Sequence, residues 1–330
     1  MYDLIIIGSG PAGLSAALTA KHHQLDCLVI ERSVIANTIY NYPVARSLFS
    51  TSNEVELEPG AIHSKGKPTR EEVLKHYIDV IRRENISIHT GEAVQSVSYF
   101  NGCFFVDSDL NRYQARKVLM AIGGFGRQRM LNARGEDSMR VSYRFSQAHP
   151  YAMKRVLVVG GGNSAAEAAL FLEESGADVT LSVRRSLVDD DGTGAVAKIK
   201  PWVREPLEMA AAEGRISIIQ SSRVMEIYSE SALLQIERDN AMSVVEVPCD
   251  HIFALIGADP DVELLRQAGA DIASDRRPVY SENYETTVPG LYVAGHVTRE
   301  MHIKNAIEIG RRVVDHIASN VLEESLACGD

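Results

Sequence analysis

The residues best suited to chemistry in this chain are glycines, and they come in two sets. Gly8-Ser9-Gly10-Pro11-Ala12-Gly13 closes the apolar run Tyr2–Ile7. Gly160-Gly161-Gly162-Asn163-Ser164-Ala165 closes a second run, Arg155–Val159, close to half a chain length later. Both runs are continuous rather than alternating, the pattern of strands buried on both faces of a parallel sheet. Each is followed by a small-residue helical pattern, Leu14–His22 and Ala165–Glu174. Strand, glycine turn and helix in that order is the context in which such a loop cradles a dinucleotide. The first glycine (Gly8, Gly160) permits a tight turn, and the second (Gly10, Gly162) lets backbone N–H groups approach a pyrophosphate. The third position (Gly13, Ala165) lets the helix lie close on its strand. The helix N-terminus then stabilises the phosphate charge. Pro11, Ala12, Asn163 and Ser164 complete the two cradles.

The two copies differ where the next strand ends. After the first comes Asp26–Ile30 and then Glu31, at about the twenty-residue spacing expected of a carboxylate that binds a ribose 2′-OH. After the second comes Asp178–Val183 and then Arg184-Arg185, with no acid. A guanidinium fork fits a 2′-phosphate. The first unit is therefore expected to bind an adenosine with a free 2′-OH and the second NADP(H). The alternative for the arginine pair is a solvated strand end.

The elements that must position these loops follow from periodicity. Thr69–Arg83 carries Val73, Leu74, Tyr77, Ile78 and Ile81 on one face and is expected to be a helix. Ala93–Tyr99 and Cys103–Asp107 flank Asn101-Gly102, a hairpin signal. Tyr113–Ile122 is a strand ending at Gly123. Ile216–Ile219 is a strand followed by a small antiparallel sheet of Arg223–Tyr228, Ala232–Arg238 and Ser243–Val247, then the strand Asp250–Ile256 ending at Gly257. Leu291–Ala294 is a late strand ending at Gly295, and Ile303–Asn320 a closing helix. The late strand has no place in a second sheet already closed by Ile252–Leu255, so it is expected to return to the first. The result is an α/β chain of two Rossmann-like domains, one over 1–122 and 250–330, the other, over 123–249, inserted into it.

Composition narrows the class further. With 330 residues, 45% of them hydrophobic, the chain is long enough for two cores. A net charge of -10 argues against nucleic acid, which needs a basic footprint. No run is long and uncharged enough to span a membrane, and the start has no basic segment before a long apolar one, so a cytoplasmic protein is expected. The four cysteines, Cys27, Cys103, Cys249 and Cys328, form no C-x-x-C, which excludes a disulfide scaffold, a clustered zinc site and a thioredoxin-like pair. No metal site is expected.

Gly8–Gly13, Glu31, Ala121-Ile122-Gly123, Gly160–Ala165, Ala254–Gly257 and Gly290–Val297 fall in the order that resembles two-dinucleotide flavoprotein reductases of the compact thioredoxin-reductase group. Asn37–Pro43, Phe49–Ser52, His149-Pro150-Tyr151, Gly160–Glu167 and Ile199–Trp202 are similar to the YpdA-type bacillithiol-disulfide reductases within it. The resemblance covers essentially the whole chain. It implies FAD on the first domain, NADPH on the second, hydride transfer from nicotinamide to flavin and then to an acceptor, and a homodimer. The acceptor it suggests is a low-molecular-weight thiol disulfide. A ferredoxin or quinone is the alternative, and a nucleotide-sensing protein with little turnover a second one. It also implies that Thr38, Asn41, Ala121, Gly123, Gly295, His296, Lys304 and Asn305 line the FAD site, with Gly257 on the NADPH side.

The chain departs from the pattern at three places. Tyr143 and Ser146 stand where thioredoxin reductases carry their dithiol, and Ala12 stands where the bacillithiol reductases carry a glycine-loop cysteine. If a disulfide is reduced, another cysteine or the flavin itself must act; Cys328, near the C-terminus, is the expected exposed thiol. His296 replaces the usual aspartate after Gly295, either as a hydrogen-bond acceptor for the ribityl chain or as a proton donor. Lys304 is either a positive group near the flavin carbonyl or a solvated first-turn lysine.

Overall fold

The computed structural model describes residues 1–64, 66–185, 199–238, 241–300 and 302–327, with side chains excluded at 238 and from 320 onward. The chain divides into two compact units, Met1–Arg127 with Asp259–Asp330, and Gln128–Ala258.

The first unit is built on a seven-stranded sheet. Ile88–Thr90, Cys27–Glu31, Tyr2–Ile7 and Arg112–Met120 lie side by side and parallel, and Cys103–Ser108 and Val94–Phe100 continue the sheet antiparallel. Leu291–Val293 pairs parallel with Val118–Met120, so the late strand does return to the first sheet. The apolar runs are continuous because both faces are covered. Leu4, Ile6, Leu119 and Tyr292 pack among the helices Pro11–His22 and Ile303–Ala327, whereas Ile5, Ile7, Val118 and Met120 pack with Phe104, Val106 and Leu265 on the other face. The hairpin turn forms at Asn101 (φ 49°) and Gly102 (φ 82°), as the Asn-Gly pair dictates. The amphipathic helix runs Arg70–Glu84, one residue later than expected, because Thr69 is its N-cap and forms a capping box with Glu72.

The two helices over the first sheet meet at small residues. A Cβ on Gly310 would stand 2.2 Å from the Ala12 carbonyl oxygen, so the helices approach at van der Waals limits where the glycine loop turns into its helix.

The second unit has a five-stranded parallel sheet in the order Ile216–Ile219, Asp178–Ser182, Arg155–Val159, His251–Ala254, Val141–Ser142. A separate antiparallel sheet holds Ser222–Ile227, Ser231–Arg238 and Ala241–Pro248. The expected boundaries at 122/123 and 249/250 therefore move. His251–Ala254 is bonded into the second sheet beside Arg155–Val159, which carries 250–258 into the second unit. The two ends of this unit lie together, since the Arg129 N–H donates to the Gly257 carbonyl at 3.1 Å and Gln128 Nε2 to the same oxygen at 3.2 Å.

Two stability tests follow. Gly310→Ala gains about 0.5–1 kcal/mol of helix propensity but forces a clash whose relief costs about 1–3 kcal/mol. Its urea midpoint should fall, and an unchanged midpoint would mean the helices slide freely. Buried His76 accepts the Leu57 N–H at Nε2, 2.9 Å, and burial lowers its pKa. A base with a depressed folded pKa contributes fully above its unfolded value, near 6.5, and loses that contribution as pH falls. Thermal stability should thus drop below neutral pH, and His76→Gln, which keeps an acceptor, should flatten the drop.

Candidate functional site

The carboxyl edge of the first sheet gathers residues from four distant segments. Gly8 N–H donates to Ile30 O at 2.8 Å and Ala121 N–H to Ile7 O at 2.8 Å, and Ala294 N–H donates to Met120 O at 3.1 Å. These bonds bring Gly8–Gly13, Glu31, Ala121–Gly123 and Gly295–His296 to one rim. Gly8 has φ +105°, and a Cβ there would sit 2.5 Å from the Ala121 carbonyl oxygen; one on Gly13 would sit 1.9 Å from the Gly8 oxygen. Gly10, by contrast, faces open space. The loop is thus pinned at its first and third glycines and open at the second, the arrangement a pyrophosphate requires. The helix Pro11–His22 has no side-chain cap, which leaves its first amides to an anion.

Glu31 is buried at this rim. Its Oε2 accepts from the Ser9 N–H (2.9 Å) and Ser9 Oγ (3.0 Å), and its Oε1 from the Ser33 N–H (2.9 Å). The fixed carboxylate retains acceptor capacity for ribose hydroxyls. Thr38 and Asn41 lie on and just beyond the short helix Asn37–Tyr40, which follows Ala36, whose N–H donates to Ser9 O at 3.0 Å. Asn41 Nδ2 binds the Asn37 carbonyl at 2.7 Å. Lys304 is exposed, and Asn305 donates to Glu300 at 2.6 Å. Both are at the start of the helix Ile303–Ala327, with Ala306 against Gly295.

His296 is half-buried. Phe125 meets its ring edge-on at 4.8 Å, and a Cβ on Gly124 would come within 2.7 Å of it. Burial first, then the Arg277 charge, pushes its pKa down to about 4. The imidazole is neutral at neutral pH, which suits the hydrogen-bond acceptor better than the proton donor.

The second rim repeats the first. A Cβ on Gly160 would stand 2.4 Å from the Leu255 carbonyl oxygen and 3.0 Å from the Ala165 Cβ, while Gly161 and Gly162 face open space. The helix Asn163–Glu174, carrying Ser164 and Ala165 in its first turn, again has no side-chain cap. Asn163 Oδ1 accepts the Lys200 N–H at 2.7 Å. Arg184 and Arg185 are exposed just past Asp178–Ser182, and Gly160 N–H donates to Ser182 O, so the arginines share the rim with the glycines. Gly257 (φ +89°) is at the end of the neighbouring strand.

The sulfur positions hold something else. Tyr143 Oη donates to Glu136 at 2.8 Å, and Ser146 is exposed beside Phe145, which packs edge-on against Phe253. Cys27 is pushed up to about 12, chiefly by burial, and burial also raises Cys249. Cys103 Sγ bonds Phe100 O in the hairpin. Cys328 lies outside the described residues. Among the described residues there is no cluster of metal-binding side chains, and no helix is long and apolar enough to cross a membrane.

Sequence reasoning missed Ser9, Gly124 and Gly310. Gly310 had a signal, a glycine inside an otherwise helical pattern; the other two act through contacts that no spacing encodes.

Three comparisons bear on the site. A bacilliredoxin reductase of Bacillus subtilis is 33% identical over 96% of each chain. The solved bacillithiol disulfide reductase of Staphylococcus aureus superposes with a TM-score of 0.88 at 29% identity, covering 97% of this chain and 98% of the other. A ferredoxin–NADP reductase of Ignicoccus hospitalis is 27% identical over 90% of each chain. The family model described as pyridine nucleotide-disulphide oxidoreductase matches residues 5–295. With two uncapped glycine cradles, one beside a buried carboxylate and the other beside an arginine pair, the chain belongs to the pyridine nucleotide-disulphide oxidoreductases, a family of FAD- and NADP-dependent enzymes.

Proposed function

We propose that the protein is an NADPH-dependent FAD oxidoreductase that passes electrons to its acceptor without a dithiol of its own. The observation that carries this reading is the pair of glycine cradles with opposite partners at the strand end, Glu31 in one and Arg184-Arg185 in the other. When bound, FAD supplies a two-electron carrier between NADPH and the acceptor. The chain binds and orients: Gly10 admits the pyrophosphate, Glu31 accepts from the ribose, and neutral His296 offers a ring nitrogen to the ribityl side. Lys304 and the N-terminus of its helix add positive charge near the flavin carbonyl.

A low-molecular-weight thiol disulfide is the leading acceptor, supported by the names of the Bacillus subtilis and Staphylococcus aureus relatives. Reduction of that disulfide would then need neither a C-x-x-C nor a glycine-loop thiol of this chain. Ala12 supplies no sulfur, Tyr143 is committed to Glu136, and half-buried Cys27 and buried Cys249 are poor thiolates at neutral pH. The same lack of a dithiol favours a second reading, a ferredoxin as acceptor, in line with the Ignicoccus hospitalis relative. The protein would work in solution as a homodimer in the cytoplasm.

The decisive experiment mixes the FAD-loaded protein with NADPH under anaerobic conditions and follows the visible flavin absorbance. Rapid bleaching followed by reoxidation with bacillithiol disulfide is expected, with glutathione disulfide, ferredoxin and quinones as competing acceptors. No bleaching would replace the enzyme with a nucleotide sensor. Replacing all four cysteines by serine should leave turnover of the best acceptor within about twofold; a loss at any one site would assign that thiol to catalysis. Arg184→Gln with Arg185→Gln should raise KM for NADPH by about tenfold or more while KM for NADH stays nearly constant.

A further inference from the structure

The three-residue turn Gly295–Val297 is held from both sides. On one side is the glycine loop: Gly295 adopts φ +76°, and a Cβ on it would come within 2.8 Å of the Ala12 Cβ. On the other side is a single guanidinium. Arg277 Nη1 donates to the carbonyl oxygens of His296 (2.7 Å) and Val297 (3.3 Å), and also to that of Thr298. Three successive carbonyls converge on one charged nitrogen and share its two hydrogens. Arg277 is itself fixed by its backbone. Its N–H donates to Asp275 Oδ1 at 3.2 Å, and its carbonyl accepts from Ala273 N–H at 2.8 Å in the turn that pairs Ile272 with Pro278.

We propose that Arg277 is a positioning residue for the FAD site: its guanidinium locks the Gly295–Thr298 turn against the glycine loop and places a fixed positive charge behind His296. This inference rests on the assignment of FAD to the first unit. Arg277 makes its bonds to turn carbonyls and acts through the turn. It sets where the His296 ring stands, and its charge favours the form of the cofactor that carries more negative charge.

The test separates position from charge. Arg277→Met removes both, and Arg277→Lys keeps the charge but loses the planar fork. Two quantities are read on each protein: the Kd for FAD, by titrating apoprotein and following flavin fluorescence, and the midpoint potential of the saturated holoprotein. The methionine variant should bind FAD about tenfold or more weakly and show a more negative potential. The lysine variant should bind FAD several-fold more weakly while its potential stays close to that of the parent. A methionine variant that merely melts earlier, with Kd and potential unchanged, would overturn the proposal and leave Arg277 a structural residue. If the methionine variant does not fold, the lysine variant decides alone, and an unchanged Kd there overturns it. Failure of the parent protein to bind FAD at all would instead overturn the assignment on which the inference rests.

Discussion

A carbonyl oxygen governs this molecule. The Ala121 oxygen stands 2.5 Å from where a side chain on Gly8 would begin, so the first strand can run this close to its neighbour only if it ends in glycine. That approach is what turns the chain sharply at the sheet edge and aims the amides of the next helix at the same point in space. The Leu255 oxygen does the same to Gly160 at 2.4 Å. Two stretches of sequence thus solve one steric problem in the same way, and the two anion cradles follow from it.

Downstream of that contact, the packing is a chain of dependencies. Gly13 brings the helix Pro11–His22 down onto its strand, and the small face of that helix, Ala12, Ala16 and Ala20, admits the closing helix as near as Gly310 allows. The closing helix in turn sets Ala306 against Gly295. Each element is located by a small residue in the one before it. A methyl group added anywhere along this series is felt at the rim, because close-packed interiors transmit displacement rather than absorb it.

Much of this was legible in the sequence because it is local. The glycine loops, the Asn101-Gly102 turn and the helix after Thr69 are each determined by neighbours a few residues away, and they form where expected, the helix shifted by one residue. The return of Leu291–Val293 to the first sheet is as expected, although the premise is not: the second sheet continues past His251–Ala254 to Val141–Ser142 and is not closed by it. What stayed hidden depends on distant partners. A boundary at 249/250 separates His251–Ala254 from the very sheet this strand is expected to close, and its ladder with Arg155–Val159 carries the boundary on to 258. Arg277 reads as an ordinary charged loop residue until its carbonyl partners, some twenty positions on, are placed beside it. His296 could be read two ways, and burial against Phe125 and Gly124, rather than its identity, favours the neutral one.

The bond from Arg129 to Gly257 bears on how such a chain folds at all. Because the entry and exit of the second unit are hydrogen-bonded neighbours, the first unit experiences more than a hundred inserted residues as a loop whose ends are already closed once the insert has folded. The entropy of joining the two halves of the first sheet is then that of a short connection rather than of a long one, and it is met inside the insert instead of by the host. The insert is continuous in sequence and the host is not, so the host's last parallel strand, Leu291–Val293, reaches its place beside Val118–Met120 across a connection whose effective length the insert has shortened.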